Sequence, residues 1–320
     1  MKWSDCSDTV MEELFAFAQC YILDTDDNEL LWSMPLNIWK DIHTGTMHPA
    51  FVSFSKRKGM DGKKGMDGMM TSRPLQTYIR NHPFFIYYFD FLAVDINERS
   101  RISYEILQTH DFYQRTNNKE IQSSLFCIEG PHSISGVQPI MTCDLLLIYP
   151  IDMPINNTTT GTLKEVDVLD DLRKVVLELN DLRYTYDWIV VPECSSLMPR
   201  IRNKELHIYI WVEGQSWMAI YICKRRFVID AETGIEQIEL IAALNIQADA
   251  ETFLLGWQKC MQQMSFSKVK SVPLHILIPL RGDHSQLVDS GVIVKQTKQH
   301  WYLYNMACVP VDPLKSLVFM

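Results

Sequence analysis

The sequence predicts an α+β protein built as two similar halves, each with a mainly antiparallel sheet flanked by helices. Three observations carry that expectation. Short apolar runs rich in aromatic and β-branched residues follow one another with tight turns between them, as in antiparallel strands. Longer segments with apolar residues three and four apart read as amphipathic helices. The order helix, antiparallel strands, helix, strand occurs twice, without detectable sequence identity between the two copies. The polar stretch at 156–161 separates them, giving an N-terminal half over 1–155 and a C-terminal half over 156–320. With 320 residues, 47% of them hydrophobic, the chain can bury a sizeable core, and only 13 glycines and 14 prolines argue against disorder or low complexity.

Thr9 and Glu12 have capping-box spacing, and Val10, Leu14, Phe17, Ala18 and Tyr21 continue at helical period. An acidic turn, Asp24-Thr25-Asp26-Asp27-Asn28, precedes a short apolar stretch around Leu36, Ile38 and Trp39. Strands are expected at 50–55, 69–79 and 84–94, the last two joined by an Asn81-His82-Pro83 turn. The tract at 56–70 holds two copies of Lys-Gly-Met-Asp-Gly and reads as a flexible hairpin tip, since a phosphate loop needs a following helix that is not there. After the strand at 84–94, an Arg-Ser-Arg turn opens an amphipathic helix. In the second half, Thr162 and Glu165 form another capping box, followed by Val168, Leu169, Leu172, Val175, Val176 and Leu179. Strands are expected at 188–191, 206–212 and 217–223, with a hairpin turn at Glu213-Gly214-Gln215-Ser216. A helix carrying Phe253, Leu254, Trp257, Cys260, Met261 and Met264 comes next.

The balance of 30 basic against 39 acidic residues, net −9, repels nucleic acid and favours basic partners. No run of about 18 to 20 apolar residues suits a membrane span, and the opening residues are too polar for a secretion signal. Eight cysteines without paired spacing are expected to be buried thiols of a cytoplasmic protein, with no disulfide or zinc; the sequons at Asn156 and Asn157 then carry no meaning. The nine histidines have no metal-ligand spacing, so no metal site is expected. No GxSxG element marks a serine nucleophile, and Arg281-Gly282-Asp283 reads as a turn.

Five segments, in order along nearly the whole chain, resemble one family. Asp24 to Asn28 follows a helix, as does that family's acidic loop. Phe91-Leu92-Ala93-Val94 and then Arg99-Ser100-Arg101 are similar to its strand ending Phe-Leu-Cys-Val followed by Arg-Ser-Lys-Arg and a helix. Pro139-Ile140-Met141-Thr142-Cys143 is similar to a Pro-x-x-Thr-Cys element. Trp301-Tyr302-Leu303-Tyr304-Asn305 and the apolar end Ser316-Leu317-Val318-Phe319-Met320 resemble its Tyr-Tyr-Leu-Tyr-Asn and its apolar tail. The family is that of the glycylpeptide N-tetradecanoyltransferases, or N-myristoyltransferases.

The resemblance implies a saddle-shaped, pseudo-duplicated acyl-CoA N-acyltransferase-like fold, with acyl-CoA in the N-terminal half and peptide mainly in the C-terminal half. It implies transfer of a tetradecanoyl group from myristoyl-CoA, a co-substrate and not a prosthetic group, to the N-terminal glycine amine of a protein or peptide. The backbone amides of Phe91 and Leu92 would hold the thioester oxygen, and the carboxylate of Met320 would take the proton from the glycine ammonium. A free α-carboxyl has a pKa of about 3.3 to 3.7, so it serves as a base only where burial or hydrogen bonding brings it nearer the amine. Arg99, Ser100, Arg101 and Ile102 at a helix start would bind CoA. Asp24, Asp26, Asp27, Tyr304 and Asn305 would bind the peptide. A monomer without nucleic-acid or membrane-spanning partners is expected.

Several departures bear on activity. One basic residue of the Arg-Ser-Lys-Arg motif is missing, and Tyr104 puts a bulky ring near the helix start. The family's Tyr-Thr-Ala-Gly is here Cys127-Ile128-Glu129-Gly130, and its Arg-Tyr-Trp-His is Asp144-Leu145-Leu146-Leu147. The chain begins close to Trp3, so the extension that covers the acyl-CoA in the family is not expected. These differences leave open a catalytically weakened relative that binds acyl chains or N-terminal peptides without turnover, and a transferase for another acyl-CoA or amine.

Overall fold

The computed structural model describes residues 1–21, 30–58, 64–130, 134, 136–150, 161–265 and 274–320. The first helix, α1 (Asp8–Tyr21), starts ahead of the expected capping box: the Ser7 hydroxyl, not that of Thr9, accepts the Val10 N–H at 3.4 Å. Its Leu14, Phe17 and Ala18 stripe is buried. The acidic turn at 24–28 lies outside the described residues. A short strand β1 (Leu30–Trp32) leads to α2 (Leu36–Ile42), whose Ile38 and Trp39 are buried.

Strands β2 (Phe51–Lys58), β3 (Lys64–Ile79) and β4 (His82–Val94) pair antiparallel. The β3–β4 turn is Arg80-Asn81, both residues with positive φ (47° and 67°), while the expected turn residues His82 and Pro83 belong to β4. Two residues at positive φ match the right-handed twist of the flanking strands, which a proline-led turn would splay. The second copy of the glycine repeat is also strand. A Cβ on Gly68 would lie 2.6 Å from Ile106 and 2.9 Å from Ile102, so this glycine lets the next helix settle on the sheet. The hairpin tip itself, 59–63, lies outside the described residues.

That helix is α3 (Arg99–Asn117), followed by β5 (Ser124–Glu129) and β6 (Met141–Pro150). The second half runs β7 (Thr162–Glu165), α4 (Leu169–Asp181), β8 (Trp188–Val191), α5 (Cys194–Arg202), β9 (Leu206–Glu213), β10 (Ser216–Asp230), β11 (Glu236–Asn245), α6 (Ala250–Ser265), β12 (Leu274–Pro279), β13 (Gly291–Tyr304) and β14 (Ser316–Val318). Thr162 to Glu165 is therefore not a helix start. Those residues pair with Val212 to Tyr209 of β9, and the helix waits until Leu169, where Asp170 and Asp171 complement its positive N-terminal end.

Twelve strands form one path, β14-β8-β3-β4-β5-β13-β6-β12-β11-β10-β9-β7, with β1 added on β10 and β2 on β3. Each half contributes one parallel β-α-β unit: β4-α3-β5 and β11-α6-β12. The halves interleave. β8 and β14 extend the first half's sheet beyond β3, and β13 lies between β5 and β6. Trp39, Trp188, Trp211, Trp257 and Trp301 are fully buried, in three separate hydrophobic clusters. No helix among the described residues is long and apolar enough to cross a membrane.

Candidate active site

Residues β4 and β5 pair in parallel only at Tyr87–Ser124 and Tyr88–Leu125. Beyond Tyr88 the strands part. Just there β4 carries a bulge: on β3 the step from Met70 to Ser72 is two residues, while on β4 the step from Leu92 to Phe89 is three, so Asp90-Phe91 takes up the extra residue. A bulge bends the strand and re-aims its groups, and the parting leaves the β5-facing edge of Phe89 to Leu92 outside the ladder. A cavity of about 490 Å³ opens in the gap, within the range of small-molecule sites. Its walls include Phe89, Asp90, Phe91 and Leu92 from β4 and Phe126, Cys127, Ile128 and Glu129 from β5.

In the second half, a bulge falls at Ile241 of β11, but Arg281 reaches that place. Its Nη2 donates to Ile241 O at 3.2 Å and to Val318 O at 3.0 Å. The C-terminal segment is thereby fixed. β14 pairs in parallel with β8, the Phe319 N–H donates to Val190 O at 2.8 Å, and Met320 enters the cavity wall. Arg200 Nη2 donates to the Met320 main-chain oxygen at 3.2 Å. Arg200 also clamps Glu205 through two bonds of 2.9 and 2.8 Å, both side chains being fully enclosed. Burial pushes the Glu205 carboxyl up, yet the guanidinium outweighs it and holds the group below the usual carboxylate range.

The sequence therefore marks three residues that the fold brings to one cavity: Phe91, Leu92 and Met320. The helix-start group divides. Ile102 is core, packed with Met70, Phe89 and Val94, and so fixes α3 on the sheet. Arg101 is exposed and shared between Glu98 at 2.9 Å and Glu105 at 3.4 Å. Arg99 and Ser100 occupy the first turn of α3, and Leu107, two turns on, lines the cavity. Tyr304 and Asn305 do not line it. Asn305, at positive φ, donates to both carboxylate oxygens of Asp111 on α3 at 3.0 and 3.1 Å. Asp24, Asp26 and Asp27 lie outside the described residues.

Charged residues that the motif reading passes over also reach the cavity. Asp90 accepts from Arg73 Nε at 2.7 Å, and His43 Nε2 stands 3.8 Å from it. Burial lowers the His43 pKa to about 4, with Asp90 offsetting only part of the effect, so this imidazole is neutral at pH 7. Glu129 pairs with Arg226 at 3.1 Å and accepts from Gln299 Nε2 at 3.5 Å. Lys224 and Glu239 complete the polar lining, and burial lowers the lysine's pKa. Burial pushes the Cys127 thiol up, which leaves it protonated and a poor nucleophile. The signal for these groups is a charge inside an apolar strand run, as in FFIYYFDFL, YICKRRFVI and IEQIELIAAL.

No protein-family model matches the sequence, and no curated protein is similar to it. Solved structures match in fold. Saccharomyces cerevisiae N-myristoyltransferase with bound myristoyl-CoA superposes with a TM-score of 0.73 at 10% identity, over 100% of this chain and 88% of that one. A structure of the yeast enzyme with myristoyl-CoA and inhibitors gives 0.70 at 11% identity, over 98% and 84%. An Enterococcus faecalis protein described as a probable N-acyltransferase gives 0.52 at 12% identity, over 92% and 70%. The chain has the acyl-CoA N-acyltransferase-like fold of these neighbours, across its whole length.

Proposed function

We propose that the protein is an N-acyltransferase that moves a long acyl group, tetradecanoyl, from its CoA thioester to the α-amine of glycine, as at the N-terminus of a peptide. One observation carries the reading: Phe91 and Leu92, beside the bulge, and Met320 line one cavity, although Leu92 and Met320 are 228 positions apart in the chain. The fold neighbours supply the acyl-CoA side of the argument, since two of them hold myristoyl-CoA.

The thioester carbonyl lies against the bulge, where backbone N–H groups of Phe91 and Leu92 stabilise the charge that develops on its oxygen. The acceptor ammonium loses a proton to the Met320 carboxylate. The neutral amine attacks the carbonyl carbon, a C–N bond forms, the C–S bond breaks, and the nitrogen's second proton passes to the departing CoA thiolate, leaving an amide and free CoA. No covalent enzyme intermediate is needed, in keeping with the protonated Cys127. Arg200 orients the Met320 carboxylate, and Glu205 holds Arg200 in place. The first turn of α3, with Arg99, Ser100 and Arg101, receives the CoA phosphates; no side-chain hydrogen bond from Glu98 caps it.

The test is intact-mass analysis of a glycine-amine acceptor incubated with myristoyl-CoA and the purified protein. A tetradecanoyl mass gain that requires both protein and acceptor supports the reading; intact myristoyl-CoA and an unchanged acceptor contradict it.

A further inference from the structure

The cavity carries more charge than the transfer step uses. Asp90 is bound by Arg73, Glu129 by Arg226 and Glu205 by Arg200. Two more charged groups line the wall. Lys224 and Glu239 stand directly opposite each other on β10 and β11, and both line the cavity. Cross-strand partners have Cβ atoms about 4.5–5.5 Å apart, close enough for a lysine and a glutamate to pair. Yet neither makes a hydrogen bond or a salt bridge among the described residues. Both line the cavity, where Lys224 also feels the charge of Glu205 and Glu239 also acts on Arg226. A ligand offering both opposite charges within a few atoms would satisfy the two together.

Resting on the acyl-transfer reading above, we infer that the acyl acceptor is a small zwitterion, a free α-amino acid, held with its carboxylate on Lys224 and its amine beside Glu239 and the Met320 main-chain oxygen. A peptide N-terminus offers the amine but presents an amide where the carboxylate belongs, and gives Lys224 no carboxylate to bind. The bonds made and broken are those already described; the carboxylate is a spectator, and the product is an N-acyl amino acid. Glu205, Glu239, Arg200 and Arg73 surround Lys224. Burial lowers the Lys224 pKa, and an arriving carboxylate favours its charged form.

The experiment titrates glycine, glycinamide and a peptide beginning with glycine into the full chain loaded with a non-reactive thioether analogue of myristoyl-CoA, by calorimetry. CoA release from myristoyl-CoA is followed with the same three amines. Glycine is expected to bind at least about 10-fold more tightly than glycinamide or the peptide, the size of one lost charge-assisted contact. Lys224→Met, which keeps the apolar stem, and Glu239→Gln should each erase most of that preference. CoA release with glycinamide or peptide as readily as with glycine overturns the zwitterion site while acyl transfer stands. A preference for glycine that survives Lys224→Met overturns it too. No CoA release with any amine removes the transfer reading itself.

Discussion

At the scale of single residues, the site rests on charges that are buried and mutually bound. Arg200 joins Glu205 to the Met320 main-chain oxygen, and removing it strands a carboxylate with no access to water. Arg200→Met is expected to cost about 3–5 kcal/mol in urea unfolding, whereas Arg200→Met with Glu205→Leu should recover most of that, because an apolar pair replaces a buried ion pair at little cost. Failure of the second change to restore stability would mean that the pair matters for packing more than for charge. Three histidines give a second expectation. Burial lowers the pKa of His43 to about 4 and those of His110 and His284 to about 3. Each is neutral when folded but titrates near 6.5 when unfolded, so the unfolded chain binds more protons between those values. Their contribution is present above about pH 6.5 and is lost as the pH falls toward about 4. The urea midpoint should therefore drop steadily from pH 7 to pH 4.5, and a flat profile would contradict the burial of these rings.

Elements decide where the cavity opens. The β4–β5 gap depends on α3 lying close to β3, which Gly68 permits through its contact with Ile102 and Ile106. Gly68→Ala is expected to cost about 1–3 kcal/mol by overpacking and to weaken acyl-CoA binding, because the start of α3 moves with the two isoleucines. An unchanged acyl-CoA affinity in the folded variant would separate that helix start from the CoA site. Much of this level was legible in the sequence. The strand at 188–191 and the helix around Trp257 were readable because their apolar periods are strong and their ends carry turn residues. Thr162 and Glu165 misled, since a capping box is a local pattern and pairing with β9 is a tertiary event that overrides it. The bulge at Asp90-Phe91 was unreadable, because register is set by two strands at once.

Across the whole molecule, the two halves share one sheet, and β8, β13 and β14 from the second half sit among strands of the first. That interleaving carries Met320 to Phe91 and Leu92, which a motif in linear order marks but cannot bring together. The charged wall was hidden for the complementary reason. Lys224, Arg226 and Glu239 each look like an interruption of a strand until the fold turns them toward a common space. The acidic segment and the Tyr304-Asn305 pair enter only through the resemblance; the former lies outside the described residues, and the Asn305 amide is occupied with Asp111. In the proposed reaction the Met320 carboxylate acts as the base at this cavity. The most direct measurement compares the native chain with one extended by a single alanine after Met320, in the intact-mass assay with myristoyl-CoA and a glycine amine. Loss of a general base predicts a rate lower by about 10²–10⁴-fold with the acyl-CoA affinity retained; equal turnover by the two chains would contradict the claim.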